Sequence, residues 1–327
     1  MSLAPRAVLV HRTTEYDELV ARHGTHGQAA FFLASRGRDI EEVAERHRRT
    51  RRALAEVTAA IPLSWRQTRV ERADLDRFLF APEDVVVVVG QDGLVANVAK
   101  YLAGQPVVGI DTDPGRNPGV LVRHRPGDAA TLLPSALAAG TGVDELTMVE
   151  AVADDTQRLV ALNEIYLGAA GHQTARYRLG LEDDGGVVEA QASSGVLVGT
   201  GTGATGWIRS VWQERGGDGG RGEGHRGGGG RGRGGGGRGG GGQGAGVRLP
   251  GPTEERLVWF VREAWPSPAT GTSLVAGELA AGGRLALTVE CERLIAFGDG
   301  IESDAVELTW GQTVRVGVWG ERLRLVG

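Results

Sequence analysis

The sequence predicts an α/β N-terminal domain built on a parallel sheet, followed by a largely antiparallel β domain. Three observations carry this. Consecutive valines at 85–89 suit a strand covered on both faces, as in an α/β sheet. That strand runs into Gly90-Gln91-Asp92-Gly93, then a helical stretch at 94–102 and a second apolar strand at 106–110, which is a βαβ unit. From about residue 145 the texture changes to closely spaced strand-like segments with few helical periods between them.

The elements follow in order. Residues 7–11 (AVLVH) read as a short buried strand. Asp39 can cap a helix whose inward positions Ile40, Val43, Ala44, His47, Leu54, Val57 and Ile61 keep a roughly helical period until Pro62 stops it. The other face of that helix carries Arg46, Arg48, Arg49, Arg51 and Arg52. It reads as a solvated charged face, with phosphate binding as the alternative. Strand-like segments at 159–167, 175–181, 187–192 and 195–199 open the second domain, and one helix is expected after Thr202 through about Gln213. The strand texture resumes at 257–262 and continues to 322–326. Domain bounds of 1–135 and 136–327 follow. The second domain is interrupted at 216–246 by a Gly/Arg tract with almost no apolar side chains, expected to be a disordered inserted loop.

Composition narrows the function. The chain has 327 residues with 41% hydrophobic and 24% charged content, an ordinary soluble balance, and most of the excess among its 54 glycines sits in the tract. A formal net charge of -5 argues against a protein that coats nucleic acid. Arg221, Arg226, Arg231, Arg233 and Arg238 lie in the tract without aromatic residues for base stacking, which leaves RNA contact an accessory role. A single cysteine, Cys291, allows no intrachain disulfide and fits a reducing cytoplasm. The first residues lack the core of a signal peptide, and no apolar run reaches the roughly 20 residues that span a bilayer. A cytoplasmic protein with no membrane partner is the expectation.

Three motifs carry chemistry. In Gly90-Gln91-Asp92-Gly93, glycines let a phosphate approach the backbone, and the helix N-terminus that follows favours negative charge. Asp92 is out of place there as a phosphate ligand, but it suits a general base for an attacking hydroxyl, a partner for Mg²⁺, or a helix cap. No P-loop signature occurs anywhere, which excludes that class of kinase. Asn163 and Glu164 interrupt an apolar strand. Adjacent strand residues face opposite sides, so one of them points inward and needs a polar partner. The stretch from Gly199 to Trp207 (GTGTGATGW) contains GxGxxG as Gly201, Gly203 and Gly206. The chain then enters the Gly tract, without the strand and acidic residue of a dinucleotide-binding dehydrogenase.

In this order the three motifs resemble the NAD kinase family, and Ser193 to Gly203 (SSGVLVGTGTG) is closest to its mitochondrial-type branch. Residues 109–119 (GIDTDPGRNPG), 259–263 (WFVRE) and 297–302 (FGDGIE) are similar to further family segments. The resemblance implies a kinase that transfers a phosphoryl group from ATP or inorganic polyphosphate, with Mg²⁺, to the 2′-hydroxyl of the adenosine ribose of NAD(H). It further implies a homo-oligomer. Asp92 matches the catalytic base, and Gly90, Gln91 and Gly93 its phosphate loop. Asn163 and Glu164 match the pair that contacts NAD, and Thr202, Thr205, Gly206, Trp207 and Ser210 match the stretch lining the dinucleotide. No metal ligand is assigned. The chain departs from the pattern at Gln91, Asp111 and Ser194, where Gly, Asn and commonly Asp stand. Gln91 is the departure expected to matter, because Gln takes positive φ less freely than Gly. The alternatives are a same-fold kinase of a nucleoside or lipid hydroxyl, and a relative that binds NAD(P) without turnover.

Overall fold

A computed structural model describes residues 4–116, 118–137, 142–182, 187–217 and 246–327, with the side chain of Ser303 left out. Most of the Gly/Arg tract, and therefore its expected disorder, lies outside the described residues. The chain divides into two compact units: residues up to Leu146 together with the tail from Gly320, and the stretch from Thr147 to Trp319.

Unit 1 opens with β1 (Arg6–His11), then α1 (Glu15–His23), α2 (His26–Ala34) and α3 (Ile40–Ala60) before β2 (Arg66–Glu71). β3 (Asp84–Gly90), α4 (Asp92–Ala99) and β4 (Pro106–Asp111) form the expected βαβ unit, followed by α5 (Ala129–Ala136) and β5 (Val143–Leu146). The strand order is β2-β1-β3-β4, all parallel, and it continues through the C-terminal strand Leu323–Val326 to β5. That last strand runs parallel to β4 and antiparallel to β5, so the sheet is mixed. The sequence reading placed residues 322–326 in the β domain and set the boundary at 135. The division instead falls after Leu146, because the chain's last strand returns to extend the first sheet.

The valines of β3 are buried on both faces, as their run required. Asp39 caps α3 by accepting from the Glu41 N–H at 2.9 Å. α3 and α5 lay Leu54, Val57, Leu133 and Ala136 on Val85, Val87 and Ile110. α1 and α2, which the sequence reading did not anticipate, close a separate small core around Leu19, Ala29, Leu33, Ile40 and Val43.

Unit 2 is a pair of six-stranded antiparallel sheets. One sheet runs Val188–Ser193 (β10), Ala175–Leu181 (β9), Leu285–Val289 (β14), Thr313–Val318 (β17), Val149–Ala153 (β6) and Arg158–Ala161 (β7). The other runs Ala276–Ala280 (β13), Arg256–Arg262 (β12), Gly195–Gly199 (β11), Glu164–Gly168 (β8), Arg293–Gly298 (β15) and Ile301–Thr309 (β16). Alternate residues of both sheets, among them Tyr177, Leu287, Ile165, Val198 and Trp259, form one core. The second sheet's other face is covered by α6 (Trp207–Glu214) through Ile208 and Val211 on Leu197, Val258 and Phe260.

The stretch 159–167 is not one strand. Leu162 and Asn163 are a corner at which the chain leaves the first sheet after β7 and enters the second as β8.

In unit 1, β4 approaches the 121–124 segment so closely that a Cβ on Gly109 would collide with the backbone carbonyl of Leu121. Neither backbone can yield without breaking the bonds from His124 N–H to Gly109 O and from Asp111 N–H to His124 O, at 3.1 and 2.8 Å. Gly109→Ala is therefore expected to cost about 3 kcal/mol or more by chemical denaturation. A loss under about 1 kcal/mol would show that the segment stands further off β4.

Candidate functional site

In unit 2 the candidate residues are organised by the corner at Leu162-Asn163. A chain leaving a ladder exposes backbone groups that need partners. The carboxylate of Asp299, in the β15–β16 turn, accepts from the N–H of Leu162 at 2.9 Å and from the N–H of Asn163 at 2.7 Å. The N–H of Asp299 in turn donates to the carbonyl of Glu164 at 3.0 Å. From the other side, the Thr200 hydroxyl donates to the Leu162 carbonyl at 2.6 Å and the Thr200 N–H to the Asn163 carbonyl at 2.9 Å. Register places Gly199 opposite Glu164, so the Thr/Gly turn emerges beside the Asn-Glu pair.

The glycines of that turn are occupied by the chain itself. A Cβ on Gly201 would strike the carbonyl of Gly251, and one on Gly203 the carbonyl of Asn163. The GxGxxG spacing therefore serves close packing here, and these two glycines do not present bare backbone to a phosphate. The same virtual Cβ on Gly203 lies 3.0 Å from Glu164 Oε2, which places that carboxyl against the turn.

Glu164 is a strongly perturbed acid. Burial disfavours its charge and the neighbouring Asp299 carboxylate repels it, which together push its pKa up to about 8. At neutral pH it is a protonated acid that can both donate and accept a hydrogen bond. Thr202 adds a buried hydroxyl with no hydrogen-bond partner among the described residues.

The remaining expected residues are placed less centrally. The Thr205 hydroxyl donates back to the Thr202 carbonyl at 2.9 Å, and Gly206 and Ser210 are exposed. Trp207 is half-buried and stacks on Tyr166 with ring centroids 5.6 Å apart, and the Arg262 guanidinium lies over its ring, 5.4 Å from the centroid. Tyr166 also packs on Phe297, which makes Trp207 part of an aromatic row on the α6 side of the sheet. The 297–302 run gives no sign in sequence of the role that Asp299 takes. Its Asp-Gly pair signals only the turn: Asp299 and Gly300 both take left-handed φ, 53° and 69°.

In unit 1, Gly90 ends β3, Gln91 is the N-cap residue of α4 and Asp92 opens the helix. Gln91 has φ -124° and ψ 165°, extended backbone that any residue adopts. The expected steric conflict at Gln91 is therefore absent. Gly93 is exposed with nothing within 4 Å of a virtual Cβ, so the fold itself has no need of glycine there.

Asp92 has a structural partner that the sequence did not reveal. Its Oδ2 accepts from the Val120 N–H at 3.0 Å, and its Oδ1 from the N–H groups of Leu121 and Val122 at 2.8 and 2.9 Å. Asp111, the second departure, accepts from the Asp113 N–H at 2.8 Å, a local turn bond that its carboxylate satisfies without a ligand. Ser194, the third, is exposed beside the Tyr166 hydroxyl, which donates to its carbonyl at 2.5 Å.

No protein-family model matches the sequence, and no curated protein matches it. Among the described residues no helix is long and apolar enough to cross a membrane, and no group of three or more His, Cys, Asp or Glu gathers to hold a metal ion.

Two expectations follow from these contacts. Glu164 holds its proton in the folded chain up to about pH 8, whereas its ordinary value is 4.5. Between those values the folded state binds the extra proton, so stability falls as pH rises through that window. Glu164→Gln is expected to remove this decline and to melt above the parent at pH 9. Parallel pH profiles in thermal denaturation would show that the carboxyl is solvated and ordinary.

Asp92→Asn would turn an amide NH₂ toward backbone N–H groups. It is expected to cost about 1–3 kcal/mol in urea denaturation. Asn is thus not the neutral cap substitute that a helix-cap role alone would make it. An unchanged midpoint would mean the three backbone bonds are not made in solution.

Proposed function

We propose that the chain phosphorylates NAD(H), transferring a phosphoryl group from ATP or inorganic polyphosphate to the 2′-hydroxyl of the adenosine ribose. The observation that carries this reading is the convergence in unit 2 of Asn163-Glu164, the Thr200–Gly203 turn and Asp299. These are three of the segments on which the resemblance rests, and they are far apart in sequence. A protonated Glu164 next to Asp299, and a Thr202 hydroxyl without a partner among the described residues, offer both donors and acceptors to a hydroxyl-bearing ligand.

In unit 1 the loop ending at Gly93 leaves an exposed stretch of backbone at a helix N-terminus, suited to a phosphoryl group. In the transfer, the ribose 2′-oxygen bonds to the terminal phosphorus of the donor, the bond from that phosphorus to its bridging oxygen breaks, and ADP or a shortened polyphosphate leaves. Asp92 is the group proposed to take the hydroxyl proton. Its Oδ2 accepts one backbone bond, which leaves a lone pair for that task. Mg²⁺ enters only as the companion of the donor's phosphates. Among the described residues no cluster of three or more His, Cys, Asp or Glu gathers to hold it.

A second reading has its own observation. All the hydrogen bonds described for Asp92 tie down the 120–122 backbone, which would suit a relative that binds NAD(P) and does not turn it over.

The test incubates the purified chain with ATP or polyphosphate, Mg²⁺, and NAD, NADH or a nucleoside, and identifies products by mass. NADP or NADPH is expected. Binding of NAD without product would establish the second reading, and a phosphorylated nucleoside in place of NADP would move the acceptor. Gly93→Ala sharpens the result. With no neighbour to meet the new methyl, stability is expected to hold or rise by up to about 1 kcal/mol. The rate is expected to fall at least about tenfold if the donor's phosphate lies on that backbone. An unchanged rate would remove the loop from the site.

A further inference from the structure

The sequence favours a solvated surface over a phosphate site for the Arg-rich face of α3, and the structure divides its members. Arg46 is paired with Glu15 at 2.7 Å, Arg48 with Glu45 at 2.9 Å, and Arg51 lies 3.8 Å from Asp17. Arg49 is engaged by Asp113, and its buried Nε has no hydrogen-bond partner among the described residues. Arg49 and Arg52 face a cleft of about 400 Å³ over the C-terminal end of β4, lined also by Asp111, Thr112, Glu56 and Arg125. Neither Arg52 nor Arg125 has an ion-pair partner among the described residues. Two guanidinium groups from separate elements thus meet at one cleft with their donors unspent.

The support beneath Arg125 is rigid. Its neighbour His124 bridges to Ile110 and exchanges backbone bonds with Gly109 and Asp111, and its ring is 3.0 Å from the carbonyl of Val326. The preceding residues 120–122 are gripped by the Asp92 carboxylate. Asp92 is therefore a positioning residue for the arm that carries Arg125, whatever else it does. Register sets Asp111 opposite Gly90, so the cleft adjoins the Gly90–Gly93 loop at the same end of neighbouring strands, where open α/β sheets bind ligands.

Carboxylates shape what the cleft can accept. Glu56 and Asp111 share the lining, so a monoanion gains little there. A chain of several phosphate groups can place separate charges on Arg52 and Arg125 and so offset the presence of the two carboxylates. Guanidinium is the side chain suited to this, since its fork matches two phosphate oxygens at once.

We propose that this cleft binds an oligophosphate chain, of the kind carried by a nucleoside triphosphate or by inorganic polyphosphate. Its identification with the phosphoryl-donor site rests on the kinase reading; the binding itself does not.

The experiment is titration calorimetry of the full chain with sodium tripolyphosphate and with ATP, without NAD, so that a failure here leaves the NAD kinase assay untouched. Arg52→Gln and Arg125→Gln are compared with Arg77→Gln, an exposed arginine outside the cleft. Saturable one-to-one binding of tripolyphosphate is expected. Each cleft substitution should weaken it by about tenfold or more, with Arg77→Gln indistinguishable from the parent and all three melting normally. Equal weakening of ATP would mark the phosphate chain as the recognised part. The proposal is overturned by absence of saturable tripolyphosphate binding, by losses as large in Arg77→Gln, or by ATP binding that ignores both cleft arginines.

Discussion

The second unit depends on how the chain turns the corner at Leu162-Asn163. A strand that changes sheets must leave one ladder before it joins the next, and its N–H and C=O groups are then exposed in a partly buried place. An unmet backbone group there costs about 1–3 kcal/mol, so the corner holds only if partners are brought to it. Asp299 supplies both acceptors and Thr200 both donors. Because those partners come from the β15–β16 turn and the turn after β11, the corner gathers three distant segments. Glu164 inherits its surroundings from this arrangement. The Asp299 charge that secures the backbone is also one of the causes that keep the Glu164 carboxyl protonated.

The first unit repeats the device with one carboxylate. Asp92 holds three successive backbone N–H groups of a segment that forms only an isolated bridge to the sheet, and so fixes the 120–125 arm over the end of β4. In both units an acid at a turn performs structural work in the very motif that reads as chemical. Removing either acid alters backbone geometry as well as any proton transfer, so lost activity in such a variant does not identify a base. Positions without internal partners discriminate better. A side chain or bare backbone that serves nothing in the fold, as at Gly93, Arg52 and Arg125, can change activity only through what it meets from outside.

What was legible in the sequence follows the range over which each signal acts. The valine strand, α3 with its Asp39 cap, and the helix after Gly90 were read correctly because period, cap and breaker all lie within a few residues. α1 and α2 escaped notice. α1 buries only Leu19 beneath a charged surface, and α2 bunches its apolar residues at Ala29 to Leu33, so neither shows a clean stripe. The return of Leu323–Val326 to the first sheet has no local signature, since a short apolar strand reads alike beside β4 or in a β sandwich. Asp299 and the 120–122 segment were missed for the same reason. Their partners lie over a hundred and about thirty residues away, and only the folded chain brings them together.

The glycines show how one residue type can mean two opposite things. Gly109, Gly201 and Gly203 are small because the chain's own carbonyls press against them, and a ligand has no access to the space they leave. Gly93 faces open space in ordinary backbone conformation, so intramolecular packing gives no reason for it. The GxGxxG spacing was thus the less informative of the two glycine motifs, although it is the longer. The Thr202 hydroxyl is a second group that intramolecular packing does not account for. Burying it without a partner is a cost of about 1–3 kcal/mol that the fold alone does not recover, whereas a ligand hydroxyl or amide meeting it would. Unspent polar capacity beside a protonated Glu164, rather than the letter pattern of the turn, is what argues for a polar ligand in unit 2.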